Sequence, residues 1–133
     1  MPKNIVYRER VRKLTSYVPA LIWAAVLLFI GGRSNVPSVE SPLPLDKAAH
    51  FVMYGLLGLL AVAGWARAGR TPRLFVVLLL AALVGVIDEV QQLSVPNRSS
   101  EPLDWIADTA GIAVATFLFL RYKGLGNVAA HKL

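Results

Sequence analysis

Residues 14–32 read LTSYVPALIWAAVLLFIGG and contain no charged side chain. A helix needs about 20 mostly apolar residues to cross a hydrocarbon core roughly 30 Å thick. This stretch qualifies, and Pro19 falls near its first turn, where a missing N–H is tolerated. The segment before it, MPKNIVYRERVRKLTSY, is basic. The segment after it, GRSNVPSVESPLPLD, lacks an A-x-A cleavage site, so the run reads as an uncleaved anchor and not as a signal peptide.

Three further runs of the same kind follow. Residues 47–66 (KAAHFVMYGLLGLLAVAGWA) come after a proline-rich loop, with Asp46 as the expected N-cap. Residues 73–93 (RLFVVLLLAALVGVIDEVQQL) come after a short basic turn, where Thr71-Pro72 predicts a cap followed by a first-position proline. Residues 104–120 (DWIADTAGIAVATFLFL) follow the loop SVPNRSSEPL, with the helix starting at Ser100 or Asp104. The composition agrees: 56% of the residues are hydrophobic and 17% charged, against about 45–50% and 25% in soluble domains. The predicted fold is an all-α bundle of four transmembrane helices. It comprises a basic N-terminal segment (1–16), a membrane domain (17–122) and a tail (123–133).

A net charge of +6 raises the question of nucleic acid, and the placement of the charge answers it. Lys3, Arg8, Arg10, Arg12 and Lys13 precede the first span, Arg67, Arg70 and Arg73 separate the second and third, and Arg121, Lys123 and Lys132 follow the fourth. Only Arg33, Lys47 and Arg98 fall on the other side, together with every acid except Glu9. The positive-inside rule then predicts a cytoplasmic-membrane protein with both termini in the cytoplasm. The basic charge is a topology signal, and no nucleic-acid partner is expected. With no cysteine, a disulfide framework and thiolate metal sites are excluded.

Helix packing is also foreshadowed. Ala81-x-x-x-Gly85 and Ala107-x-x-x-Gly111-x-x-x-Ala115 are small-residue patterns that permit close approach in lipid, and they predict contact between the third and fourth spans.

Polar residues gather at the outer ends of the spans. The second span begins with Asp46, Lys47, His50 and Tyr54, whose spacing places them along one helix face. The third ends with Asp88, Glu89, Gln91 and Gln92, the fourth begins with Asp104 and Asp108, and the loop between them adds Arg98, Ser99 and Ser100. Ionisable groups at membrane depth cost about 2.5–3.5 kcal/mol each at a helix centre and persist where they face a shared interior. Ordinary roles compete for several of them. Asp46 and Asp104 suit a helix N-terminus, Lys47 and Arg98 suit snorkelling, His50 suits a satisfied polar contact in the bundle, and Tyr54 suits an interfacial aromatic belt. Trp23, Trp65 and Trp105 read as belt or packing residues. Asp88-Glu89 resists such a reading, because adjacent acids at a helix C-terminus oppose the macrodipole and repel each other. Asp108 lies a full turn inside its span, beyond capping range.

The blocks Asp46-Lys47-x-x-His50-Phe51-x-x-Tyr54, Asp88-Glu89-x-Gln91-Gln92, Pro96-x-Arg98-Ser99 and Asp104-x-x-x-Asp108-x-x-Gly111 resemble the VanZ-like family of bacterial membrane proteins. Members often read Asp-Glu-x-x-Gln in the third span, which places the family glutamine on Gln92, and often carry Asn where this chain has Asp108. The resemblance implies a membrane location and a cell-envelope context, the family being named for a protein linked to glycopeptide-antibiotic resistance. It implies no particular reaction.

From the residues, the leading expectation is an outward-facing polar pocket that binds or modifies an anionic envelope lipid or glycolipid. Lys47 would hold the headgroup as a point charge and Arg98 as a planar fork. Tyr54, Gln92, Ser99, Asp104 and Asp108 would line the pocket. His50, Asp88 and Glu89 are the candidate acid–base groups. The alternative is a metal-dependent hydrolase or transferase using oxygens of Asp88, Glu89, Asp104 and Asp108 with His50. The spacing specifies no cofactor. A transporter is disfavoured, since the inner halves of the spans carry no charge to continue a path.

Overall fold

Pro19 decides how the first hydrophobic stretch is built. It cannot donate the hydrogen bond that would continue a helix onto the Thr15 carbonyl. In the computed structural model, which describes residues 3–33, 45–70, 72–95 and 101–130, the stretch accordingly forms two helices, α1 (Lys3–Thr15) and α2 (Val18–Gly31). Ser16 and Thr15 close α1 by turning their hydroxyls back onto the Arg12 and Val11 carbonyls. Three longer helices follow: α3 (Leu45–Arg67), α4 (Leu74–Gln92) and α5 (Pro102–Ala130). Four segments are long and apolar enough to cross a membrane: Val6–Gly31, Leu45–Arg67, Leu74–Gln92 and Pro102–Lys123. The 19 residues of α4 give about 29 Å and the 23 of α3 about 35 Å, which match a hydrocarbon core. Among the described residues there is no strand.

The helix ends depart from expectation in two places. The α4 helix starts at Leu74 with Arg73 as an extended N-cap, and Pro72 is not its first residue; Thr71 lies outside the described residues. The preceding chain reversal sets that start. Gly69 adopts φ 72°, Gly69 N–H donates to Ala66 and Arg70 N–H donates to Trp65, a Schellman ending for α3 that only glycine adopts without strain. At the other turn α5 begins at Pro102, so Asp104 is its third residue and a first-turn acid, not its first residue.

The helices α3 and α4 form the middle of the bundle, each touching α2 on one side and α5 on the other. The tightest crossing is between α3 and α5. A Cβ at Gly111 would overlap the Phe51 carbonyl, and one at Gly58 would stand 3.0 Å from Ile112 Cα. The helices α4 and α5 do touch, with Gly85 facing Trp105 and Asp108, but the Gly111 pattern expected to serve that contact serves α3 instead. Trp23 and Trp105 are packing residues: their indole N–H groups donate to the Met53 carbonyl (2.9 Å) and the Ala82 carbonyl (3.4 Å). The core is Leu27, Leu57, Val62, Val77, Ala81 and Ile112, while Phe29, Val52, Phe75, Leu83 and Phe117 point outward. An apolar outer surface on a helical bundle is what a lipid solvent requires.

Candidate functional site at the acidic end of the bundle

Because neighbouring spans run antiparallel, the start of α3, the end of α4 and the start of α5 share one end of the bundle. Lys47, His50 and Tyr54 project along one face of α3, Asp88 and Gln92 along one face of α4, and Asp104 and Asp108 along one face of α5. Their side chains interlock in three layers.

The rim is an ion cluster. Lys47 Nζ lies 2.9 Å from Asp46, 2.6 Å from Glu101 and 2.5 Å from Asp104. Three carboxylates match the three protons of one ammonium group, so Lys47 is saturated. Oxygens of Asp46, Glu101 and Asp104 all lie within 4.8 Å of one another, the kind of trio that suits a divalent ion, but the Lys47 ammonium occupies the centre.

Beneath the rim, His50 Nδ1 stands 2.9 Å from Asp108 Oδ1. The His50 side chain keeps 19% of its surface exposed and Asp108 only 2%, so the imidazole is the accessible member of the pair. With an ionised Asp108 accepting from Nδ1–H, Nε2 is left with its lone pair. Asp108 Oδ2 is buried beside Gly85 and takes no hydrogen bond among the described residues.

The deepest layer centres on Asp88. Tyr54 donates its hydroxyl proton to Asp88 Oδ2 (3.2 Å), and Gln92 Nε2 donates to the same oxygen (3.1 Å). All three residues are buried. The Tyr54 ring stacks parallel to that of His50, with centroids 6.3 Å apart, which joins this layer to the one above. Glu89 is half-buried beside Asp88, with one carboxylate oxygen out of water. Gln91 turns the other way and donates to the Leu28 carbonyl of α2 (3.1 Å).

Lys47, His50, Tyr54, Asp88, Gln92, Asp104 and Asp108 therefore come together as their spacing predicts, with Glu89 next to them. Arg98 and Ser99 lie outside the described residues. Three contributors escaped the sequence reading. Glu101 precedes the helix and gives Lys47 its second partner. Gly31 and Gly32 end α2 against the site, where a Cβ would overlap the Asp88 carboxylate and the Gln91 amide respectively. The adjacent glycines at the end of an apolar run were the available signal.

Chemically, the cluster offers an oriented histidine, a carboxylate held by two donors and an excess of acidic groups. The other described cation at this end, Arg33, lies 4.4 Å over the Phe29 ring. In comparison with known proteins, the family model described as VanZ/LLP1 matches residues 3–123. No curated protein and no solved structure matches the chain.

Proposed function

The chain belongs to the VanZ/LLP1 family, and we propose that it is a multi-pass protein of the cytoplasmic membrane whose acidic end binds the headgroup of a cell-envelope glycolipid, with His50 as general base for chemistry on it. Membership by itself carries no reaction, so the reading rests on the site. The observation that carries it is the His50–Asp108 pair at 2.9 Å, an accessible imidazole oriented by a buried carboxylate. A carboxylate hydrogen-bonded to Nδ1 holds the tautomer that leaves Nε2 ready to take a proton.

The charge around the pair favours hydroxyl-rich sugars over phosphate. Lys47 is surrounded by three carboxylates, and Asp88 and Asp108 lie beneath it, whereas sugar hydroxyls can donate to such oxygens. An anionic headgroup would have to draw Lys47 out of its cluster or rely on Arg98. In this reading the basic end faces the cytoplasm and the glycolipid is reached from the outer leaflet.

The test compares envelope lipids by mass spectrometry in cells lacking the protein, supplied with wild type, His50→Gln or Asp108→Asn. The expected result is a glycolipid species whose amount depends on the wild type. Its conversion should fall about 10²–10⁴-fold in His50→Gln, the usual contribution of general acid–base catalysis. A lipid profile that ignores the wild-type protein removes the chemistry, and purified protein that retains no glycolipid removes the binding.

A further inference from the structure

We propose that the opposite, basic end of the bundle binds one anionic phospholipid, whose acyl chain lies in an apolar cleft between α2, α3 and α4. Its headgroup end lies at the opposite end of the bundle from the His50–Asp108 pair, and the site does not depend on the function proposed there.

The cleft measures about 180 Å³ and is lined entirely by apolar and aromatic residues, among them Ala20, Ala24, Leu57, Ala61, Trp65 and Val84. On α3 its lining runs from Leu57 to Trp65, a length of about 12 Å along the axis. Each of the three helices contributes alanines at the wall, Ala20 and Ala24 from α2, Ala61 from α3 and Ala81 from α4, and their short side chains set the wall back. The bilayer presents hydrocarbon chains to such a cleft, and an empty one would forfeit dispersion contacts along its whole lining.

The charges at its mouth choose the headgroup. Lys13 lies four residues before Tyr17 in the last turn of α1, Arg67 two residues beyond Trp65, and Arg73 one turn before Val77, whose N–H donates to the Arg73 carbonyl. All three basic residues are exposed. Arg67 donates Nε–H to the Ala63 carbonyl, and Lys13 makes a loose 4.0 Å pair with Glu9. Glu9 is the sole acid that the sequence places at this end, so a zwitterionic amine finds little to pair with while a phosphate finds three cations. Tyr17 and Trp65, apolar with one polar edge, line the basic end of the cleft, a side-chain type that suits the level of lipid headgroups.

The experiment uses the full chain in a mild detergent, with dioleoylphosphatidylglycerol or dioleoylphosphatidylcholine added and adducts counted by native mass spectrometry. Wild type should hold one phosphatidylglycerol and prefer it over phosphatidylcholine about tenfold or more, given the attraction each basic residue near a surface exerts. The double variant Arg67→Gln/Arg73→Gln, at exposed positions that leave packing intact, should lose that preference. Ala24→Leu and Ala61→Leu, which fill the cleft, should lose the adduct with either lipid. Equal retention of the two lipids, an adduct indifferent to the cleft-filling changes, or dimers of the chain in place of lipid adducts would each overturn the proposal.

Discussion

Gly111 of α5 lies so close to the carbonyl of Phe51 in α3 that no side chain fits between them, and this contact sets the depth at which Asp108 meets His50. Gly111→Ala should therefore act at the site as well as on packing. Over-packing a tight interface costs about 1–3 kcal/mol. The expected outcome is a lower unfolding temperature in detergent together with loss of whatever lipid conversion His50 supports. Ala110→Gly, an exposed neighbour on the same helix, should leave conversion unchanged.

Asp108 tests the dyad directly. Asp108→Ala removes the acceptor for His50 Nδ1 and leaves a partly buried donor without its partner, a loss of about 1–3 kcal/mol in stability. Asp108→Asn keeps the volume and a carbonyl acceptor, so it should fold like the wild type in a thermal melt. Equal melting temperatures for all three proteins would show that the pair does not hold the helices together.

Lys47 yields a prediction with two readouts. Replacing it by Ala leaves the Asp46, Glu101 and Asp104 carboxylates facing one another without a counter-charge. The loss should be about 1–3 kcal/mol, below the range for fully buried pairs, because Asp46 and Glu101 are exposed and Lys47 keeps some contact with water, Asp104 alone being buried. The same variant exposes an oxygen trio spaced for a hard cation. Millimolar Ca²⁺ should then raise the melting temperature of Lys47→Ala and leave that of the wild type where it was.

Orientation is open to a simple assay. Reporter fusions at Glu40, between α2 and α3, should read as external, and fusions after Leu133 as cytoplasmic, as eleven basic residues on one side against three predict. An external C-terminus would reverse the leaflet assigned to each end of the bundle.

The four spans were legible in the sequence because a lipid solvent enforces long uncharged runs, of which 14–32 is the plainest. The polar cluster was legible for a related reason: Asp88 opposes the dipole at a helix C-terminus, Asp108 stands too deep for capping, and both are tolerated only where they meet partners. What stayed hidden depends on contacts between helices far apart in the chain. Gly111 could have faced α4 as well as α3, and only the crossing geometry chooses. Lys47 looked available to a ligand until Glu101 and Asp104 were found beside it. The start of α4 slipped from Pro72 to Leu74 because a backbone reversal at Gly69, and not a capping side chain, decides it.

The core below the cluster has an electrical meaning. Beneath Tyr54 and Asp108 the interior is Leu57, Val62, Val77, Ala81 and Ile112, and the polar side chains buried on that side among the described residues are Thr116 and, at the basic end, Ser16. Thr116 and Ser16, the latter committed to the Arg12 carbonyl, form no continuous chain of polar groups, so this apolar plug insulates the two faces of the bundle from each other. Any proton taken up by His50 must come from, and return to, the acidic side. Chemistry at that end consequently moves no net charge across the bilayer, and its rate should be indifferent to the membrane voltage.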